Sequence, residues 1–156
     1  MLPPPDFVSR VLAYRTSNQS LTSGDYTTVL HDQVPLNDHD AYDSSTGLFT
    51  IPSPGVYSVK WAVLTNSYTW PVGSVFGAAL SHDNSTGTSG LGMWWGWRFE
   101  SPAAVSTYAY SCGSITLPFT SGNLRIKLYH SYGSAINSYA SGSYNYLSII
   151  RLGGQY

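Results

Sequence analysis

Residues 41–57, AYDSSTGLFTIPSPGVY, constrain this chain more than any other stretch. The Asp43 carboxylate is placed to accept backbone N–H groups just ahead of it, and Gly47 supplies the positive φ that closes a tight turn. A short apolar strand is predicted at 48–51. Pro52 and Pro54 remove two ladder donors, so this strand ends there or lies at a sheet edge. Gly55 then turns the chain into a second strand, 56–64, one face of which carries Tyr57, Val59, Trp61 and Val63.

The chain has 156 residues, enough for one domain with a real core and no need of disulfide or metal staples. Charged residues make up only 10%, well below the usual ~25%. The surface is therefore expected to be built from Ser, Thr, Asn, Gly and Tyr. The formal charge is −1 with no basic run, so the phosphate-neutralising term that dominates nucleic-acid binding is missing and nucleic acid is not an expected partner. Cys112, the single cysteine, reads as a buried small apolar residue rather than a nucleophile. The first residues lack a basic region followed by an apolar one, and no 18-residue apolar run occurs. A soluble chain without an export signal or membrane insertion is expected.

Taken in order, residues 1–6 form an extended proline-rich arm and residues 7–156 a single domain. Pro3, Pro4 and Pro5 cannot donate to a sheet, while Met1, Leu2 and Phe7 make the arm apolar. Strands are predicted at 7–15, 27–34, 48–51, 56–64, 74–82, 93–99, 106–117, 123–130 and 144–152. The strand at 106–117 is expected to bulge at Gly113. Loops are predicted at 17–25, 65–73, 83–92 and 132–143. The segment 123–130 alternates most cleanly, Leu124, Ile126 and Leu128 against Arg125, Lys127 and Tyr129. Short strands separated by Gly, Pro and Asn turns, without an amphipathic helix, imply an all-β sandwich or jelly roll.

Few residues suggest chemistry. Asp38, His39 and Asp40, near Asp43, form the one cluster with metal-ligand side chains, but no bracketing glycine or bidentate glutamate accompanies them, so a solvated loop is the preferred reading over calcium. No nucleophile elbow or Gly-rich phosphate fingerprint is present, and Glu100 is the only glutamate. No catalytic residues, metal or cofactor are expected. The run Trp94, Trp95, Trp97 and Phe99 reads either as core and subunit contact, the preferred reading, or as an exposed contact patch. Trp94 and Trp95 cannot both face one way on a flat strand, so one of them points outward unless the run bulges.

The pattern Y-D-x-x-T-G-x-F-x-x-P-x-P-G-x-Y, carried by Tyr42, Asp43, Thr46, Gly47, Phe49, Pro52, Pro54, Gly55 and Tyr57, resembles the middle of the globular head of complement C1q, in the tumour necrosis factor superfamily. The resemblance implies a ten-strand-type jelly-roll sandwich whose last strand lies beside its first. It also implies a non-enzymatic homotrimer built around one sheet of each subunit. Tyr57, Trp61, Tyr108, Tyr110, Tyr144 and Tyr146 are the nominees for that interface. Collagen-like G-X-Y repeats and heptads, usual upstream in animal members, are lacking in this sequence. A bacteriophage virion structural protein is therefore expected: a capsid decoration or cement protein docking on the major capsid protein through Met1–Phe7 on the outer shell. The alternatives are a fibre or tail head binding a host-surface glycan, or an extracellular C1q-like binding module.

Overall fold

The computed structural model describes residues 9–83 and 90–153. Its strands, in order, are β1 (Arg10–Tyr14), β2 (Ser20–Leu21), β3 (Thr27–Thr28), β4 (Gln33–Asn37), β5 (Tyr42–Asp43), β6 (Leu48–Thr50), β7 (Gly55–Trp70), β8 (Val75–Asp83), β9 (Gly90–Glu100), β10 (Val105–Phe119), β11 (Asn123–His130), β12 (Ile136–Asn137) and β13 (Tyr146–Gly153). A 3-10 turn at Asp38–Asp40 is the one helical element among the described residues. No helix there is long and apolar enough to cross a membrane.

Two sheets form a β-sandwich. One has five strands in the order β10-β7-β13-β1-β4, and the other six, β5-β6-β11-β8-β9 with β3 also on β11. The last long strand thus sits between β7 and the first strand. Arg10 pairs with Ile150, which brings the two ends of the domain together, as the resemblance implied.

Alternation decides which side chains enter the core. From β7, Tyr57, Val59, Trp61 and Val63 point inward, joined by Val11, Ala13, Leu147 and Ile149. They meet Phe76, Ala78, Leu80, Leu124, Ile126 and Leu128 of the facing sheet. Trp70 anchors one end of the core, with ring centroids 6.0 Å from Phe76, 5.4 Å from Phe99 and 5.2 Å from Tyr132. These T-shaped contacts favour edge-to-face aromatic packing.

The turn at Asp43 forms as its composition requires. Ser45 N–H donates to the carboxylate at 2.8 Å, Thr46 Oγ1 at 2.9 Å, and Gly47 N–H donates to the Asp43 carbonyl at 2.8 Å. Gly47 has φ +71°, and a Cβ there would lie 2.8 Å from the Val29 carbonyl oxygen, so both conformation and space demand glycine.

Several expectations are corrected. The strand expected at 56–64 runs on to Trp70, because residues 65–70 keep pairing with β10. The extended piece expected at 27–34 is two strands, β3 on one sheet and β4 on the other. Gly113 is not a bulge: it pairs in register with Trp61, and the indole ring occupies the space where a Cβ would go. The irregularity in β10 lies between Tyr108 and Tyr110 instead. Met1, Leu2, Pro3, Pro4, Pro5 and Phe7 lie outside the described residues, as does most of the loop expected at 83–92.

A second irregularity joins the sheets. The β8–β9 ladder shifts register between Gly77 and Ala79. There the buried Ser111 hydroxyl of β10 accepts from Ala78 N–H at 2.8 Å and donates to the Trp97 carbonyl at 2.6 Å. Ser111→Ala strands both backbone groups, and we expect a loss of about 2–3 kcal/mol in urea unfolding.

His31 is buried, with Nδ1 2.7 Å from the Tyr42 hydroxyl. Burial, reinforced by Arg15, lowers its pKa from 6.5 to about 4. Burial lowers His130 as well. Between those pH values the unfolded chain binds the His31 proton and the folded chain does not, so stability is full above about pH 6.5 and falls as the pH drops toward 4. By pH 5 the loss from His31 alone should be about 2 kcal/mol. Urea midpoints at pH 7 and pH 5 will measure it, and His31→Gln should flatten the difference.

Candidate functional site

The two sheet faces carry the candidate surfaces. On the five-stranded sheet, residues of opposite parity to the core set point outward. The register places Leu12, Ser148, Lys60 and Ser114 in one row across β1, β13, β7 and β10. A neighbouring row holds Tyr14, Tyr146, Ala62 and Cys112, and the row on the other side Arg10, Ile150, Ser58 and Thr116. Leu12 is 39% exposed, Ile150 43% and Tyr108 50%, large values for apolar residues on a strand. None of the five strands contains an aspartate or glutamate.

Four of the nominated interface tyrosines, Tyr108, Tyr110, Tyr144 and Tyr146, lie on or beside this face. Tyr108, Tyr139, Tyr144 and Leu64 line a shallow cavity of about 290 Å³, in which the Tyr108 and Tyr139 rings meet edge to face at 5.7 Å. A second hollow of about 400 Å³ is lined by Lys60, Tyr110, Cys112, Ser114 and Tyr146 over the backbone of Gly113 and the edge of Trp61. Burial, with Cys112 alongside, pushes the Tyr110 phenol up, so it remains a hydroxyl donor.

Tyr57 and Trp61 are corrected. Both are essentially inaccessible in the single chain. Tyr57 donates its hydroxyl to the Ser53 carbonyl at 2.6 Å, and Trp61 Nε1 points at the Ala78 carbonyl across the sandwich. The reason is parity: they share a face with Val59 and Val63, so the outward positions of β7 are Ser58, Lys60 and Ala62. Lys60, Leu12 and Ile150, absent from the nominees, were legible from that same alternation.

The outer face of the six-stranded sheet differs in character. Asp83, buried, accepts from Ser81 Oγ at 2.9 Å and lies 2.6 Å from Arg125 Nε and 3.7 Å from Lys127 Nζ. Close by, the rings of Trp95, Tyr26 and Tyr129 form a chain, with centroids 6.0 and 5.6 Å apart. Trp95 is 43% exposed and Trp97 59%. Trp94 turns inward onto Phe119, its ring 5.9 Å away. One of the adjacent tryptophans thus faces the core and the other faces out, and the strand also bulges.

The metal-ligand candidates do not converge. Asp38 accepts from Arg10 Nε at 2.9 Å and from Arg10 N–H at 3.0 Å, and that guanidinium holds its carboxyl below the usual range. His39 and Asp40 are exposed, with φ +63° and +51°. Among the described residues no three His, Cys, Asp or Glu side chains gather as a cation site would need. The remaining histidines serve structural bonds, His82 to the Ser121 carbonyl and His130 to the Leu21 carbonyl.

The C1q domain profile matches residues 12–85. No curated protein sequence is detectably similar. Among solved structures, murine APRIL superposes with TM-score 0.63 at 15% identity, covering 94% of this chain and 100% of that one. The globular domain of zebrafish complement 1qA gives 0.61 at 13% identity, covering 94% and 99%. Eiger TNF from S. frugiperda gives 0.58 at 11% identity, covering 98% and 96%. The fold is therefore the jelly roll of the TNF and C1q structures.

From the geometry at Asp38–Asp40, adding a chelator should leave the melting temperature unchanged. A drop reversed by calcium, followed by differential scanning calorimetry, would reassign Asp38, His39 and Asp40 as ligands.

Proposed function

We propose that this chain is a C1q-type jelly-roll module that assembles as a homotrimer and acts by binding rather than by catalysis. The observation that carries the reading is the outward face of the five-stranded sheet, apolar at Leu12 and Ile150, rich in tyrosine, and free of carboxylates in all five strands. A solvated face of an antiparallel sheet alternates to polar residues, whereas this one presents what a subunit contact needs. Tyrosine supplies contact area with a polar tip that stays satisfied where sheets meet. Closed threefold symmetry covers every such face with identical copies and leaves none open. The C1q match over residues 12–85 supports the same reading.

Within that reading we place the trimer on the outer surface of a virion, as a capsid decoration protein seated on the major capsid protein through Met1–Phe7. A trimer fits threefold shell positions, so three weak contacts engage together. Prolines limit the entropy lost when the arm lies down, and the net charge of −1 permits dense packing. A second reading, a receptor-binding fibre head, is favoured by one observation: Trp95 and Tyr26 present exposed rings beside Tyr129 on the opposite sheet, and an exposed indole can stack on a sugar ring.

Light scattering should give three times the 17.0 kDa chain mass. Ile150→Asp or Tyr146→Asp should yield folded monomer, whereas a monomeric wild type in solution and in its native assembly overturns the trimer. Deleting residues 1–6 should leave the trimer intact and abolish binding to undecorated capsids. Binding to host cells that is lost in Trp95→Ala would instead select the fibre head.

A further inference from the structure

We propose that Lys60 and the hydroxyl groups around it form a site for a small inorganic oxyanion of the phosphate or sulfate class, enclosed when copies of the chain meet over the five-stranded sheet. The enclosure rests on the trimeric reading above; the site itself rests on the hollow. Lys60 projects from the middle of β7, flanked across the ladder by Ser148 and Ser114. Its hollow of about 400 Å³ is also lined by Ser114, Tyr110 and Tyr146, so one ammonium and three hydroxyl-bearing side chains border one space, the donor types a tetrahedral anion takes.

Charge makes the occupant necessary. The five strands carry three cations, Arg10, Lys60 and Arg151, and no carboxylate. Arg10 is matched by Asp38 at 2.9 Å, and Arg151 is engaged by the Pro54 carbonyl at 3.0 Å. Lys60 has no ion-pair partner among the described residues. Exposed in the single chain, it is solvated by water. Once subunits cover the face, that water is excluded, and several copies of one uncompensated charge are brought toward each other, an arrangement that is strongly unfavourable unless a counter-charge enters. Among the described residues nothing on the face itself supplies one.

The test uses the full chain, freed of oxyanions by dialysis into chloride and titrated with sodium sulfate at constant ionic strength, with melting temperature and light scattering followed together. Wild type should show a saturable rise in melting temperature. Ser114→Ala and Tyr110→Phe should move half-saturation several-fold upward, and Lys60→Arg should keep the response. Lys60→Met should lose the saturable component and melt in chloride no lower than wild type. Parallel responses of wild type and Lys60→Met would reduce the effect to general exclusion of sulfate from protein surface and overturn the site. A wild type that is monomeric throughout sinks the assembly reading. Sulfate binding by that monomer, seen by calorimetry and lost in Lys60→Met, would keep the site and remove only its enclosure.

Discussion

The Ser111 hydroxyl belongs to the five-stranded sheet, yet it completes a ladder in the other one. It accepts from Ala78 N–H of β8 and donates to the Trp97 carbonyl of β9, where those strands slip out of register. The slip leaves two buried backbone groups without each other, and a single side chain satisfies both. At the same corner the β9 backbone presses on β10 so closely that a Cβ on Gly96 would lie 2.3 Å from the Cys112 carbonyl oxygen. The two sheets are thereby fixed edge to edge, and the extra residue at the slip lets Trp94 and Phe99, which strict alternation would put on opposite faces, both pack against the core.

A second constraint is topological. β13 is inserted at the centre of its sheet, between strands that precede it by most of the chain length. The sheet is therefore completed only after the whole domain has been made, a non-local arrangement of the kind that folds slowly. The central position also gives β13 two hydrogen-bonded neighbours and puts both of its faces to use. Leu147 and Ile149 fill the core, while Tyr146, Ser148 and Ile150 look outward beside Lys60.

The two outward faces divide the polarity of the molecule between them. On the six-stranded sheet, the strands carry three acids, Asp43, Asp83 and Glu100, against three bases, Arg98, Arg125 and Lys127, and Asp83 pairs with the last two within the chain. The five-stranded sheet has apolar groups, hydroxyls and a lysine, but no acid with which to balance it. With so few charges in the chain, their placement carries unusual weight, and it sets the two faces apart.

Much of this was legible in the residues. The Asp43–Gly47 turn followed from local chemistry, since a short carboxylate and a positive-φ glycine act within a few positions of each other. Strand β11 followed from strict alternation, and its bounds came out as read. The length of β7 did not, because residues 65–70 are polar and turn-like in isolation and extend only because β10 lies alongside to receive their hydrogen bonds. Likewise Gly113 looked like a bulge until Trp61 was found in its Cβ space. Tyr57 and Trp61 were nominated for an interface by their aromaticity, although their own alternation with Val59 and Val63 had already assigned them to the core. What the sequence by itself determined is where most of the long strands lie, the Asp43–Gly47 turn and the alternation of inward and outward positions along a strand, because these depend on neighbours one to five residues away. Which strands lie side by side, and so which outward residues become a single face with Lys60 at its middle, was decided only in the tertiary structure, because hydrogen-bonded register joins residues that nothing in local chemistry relates.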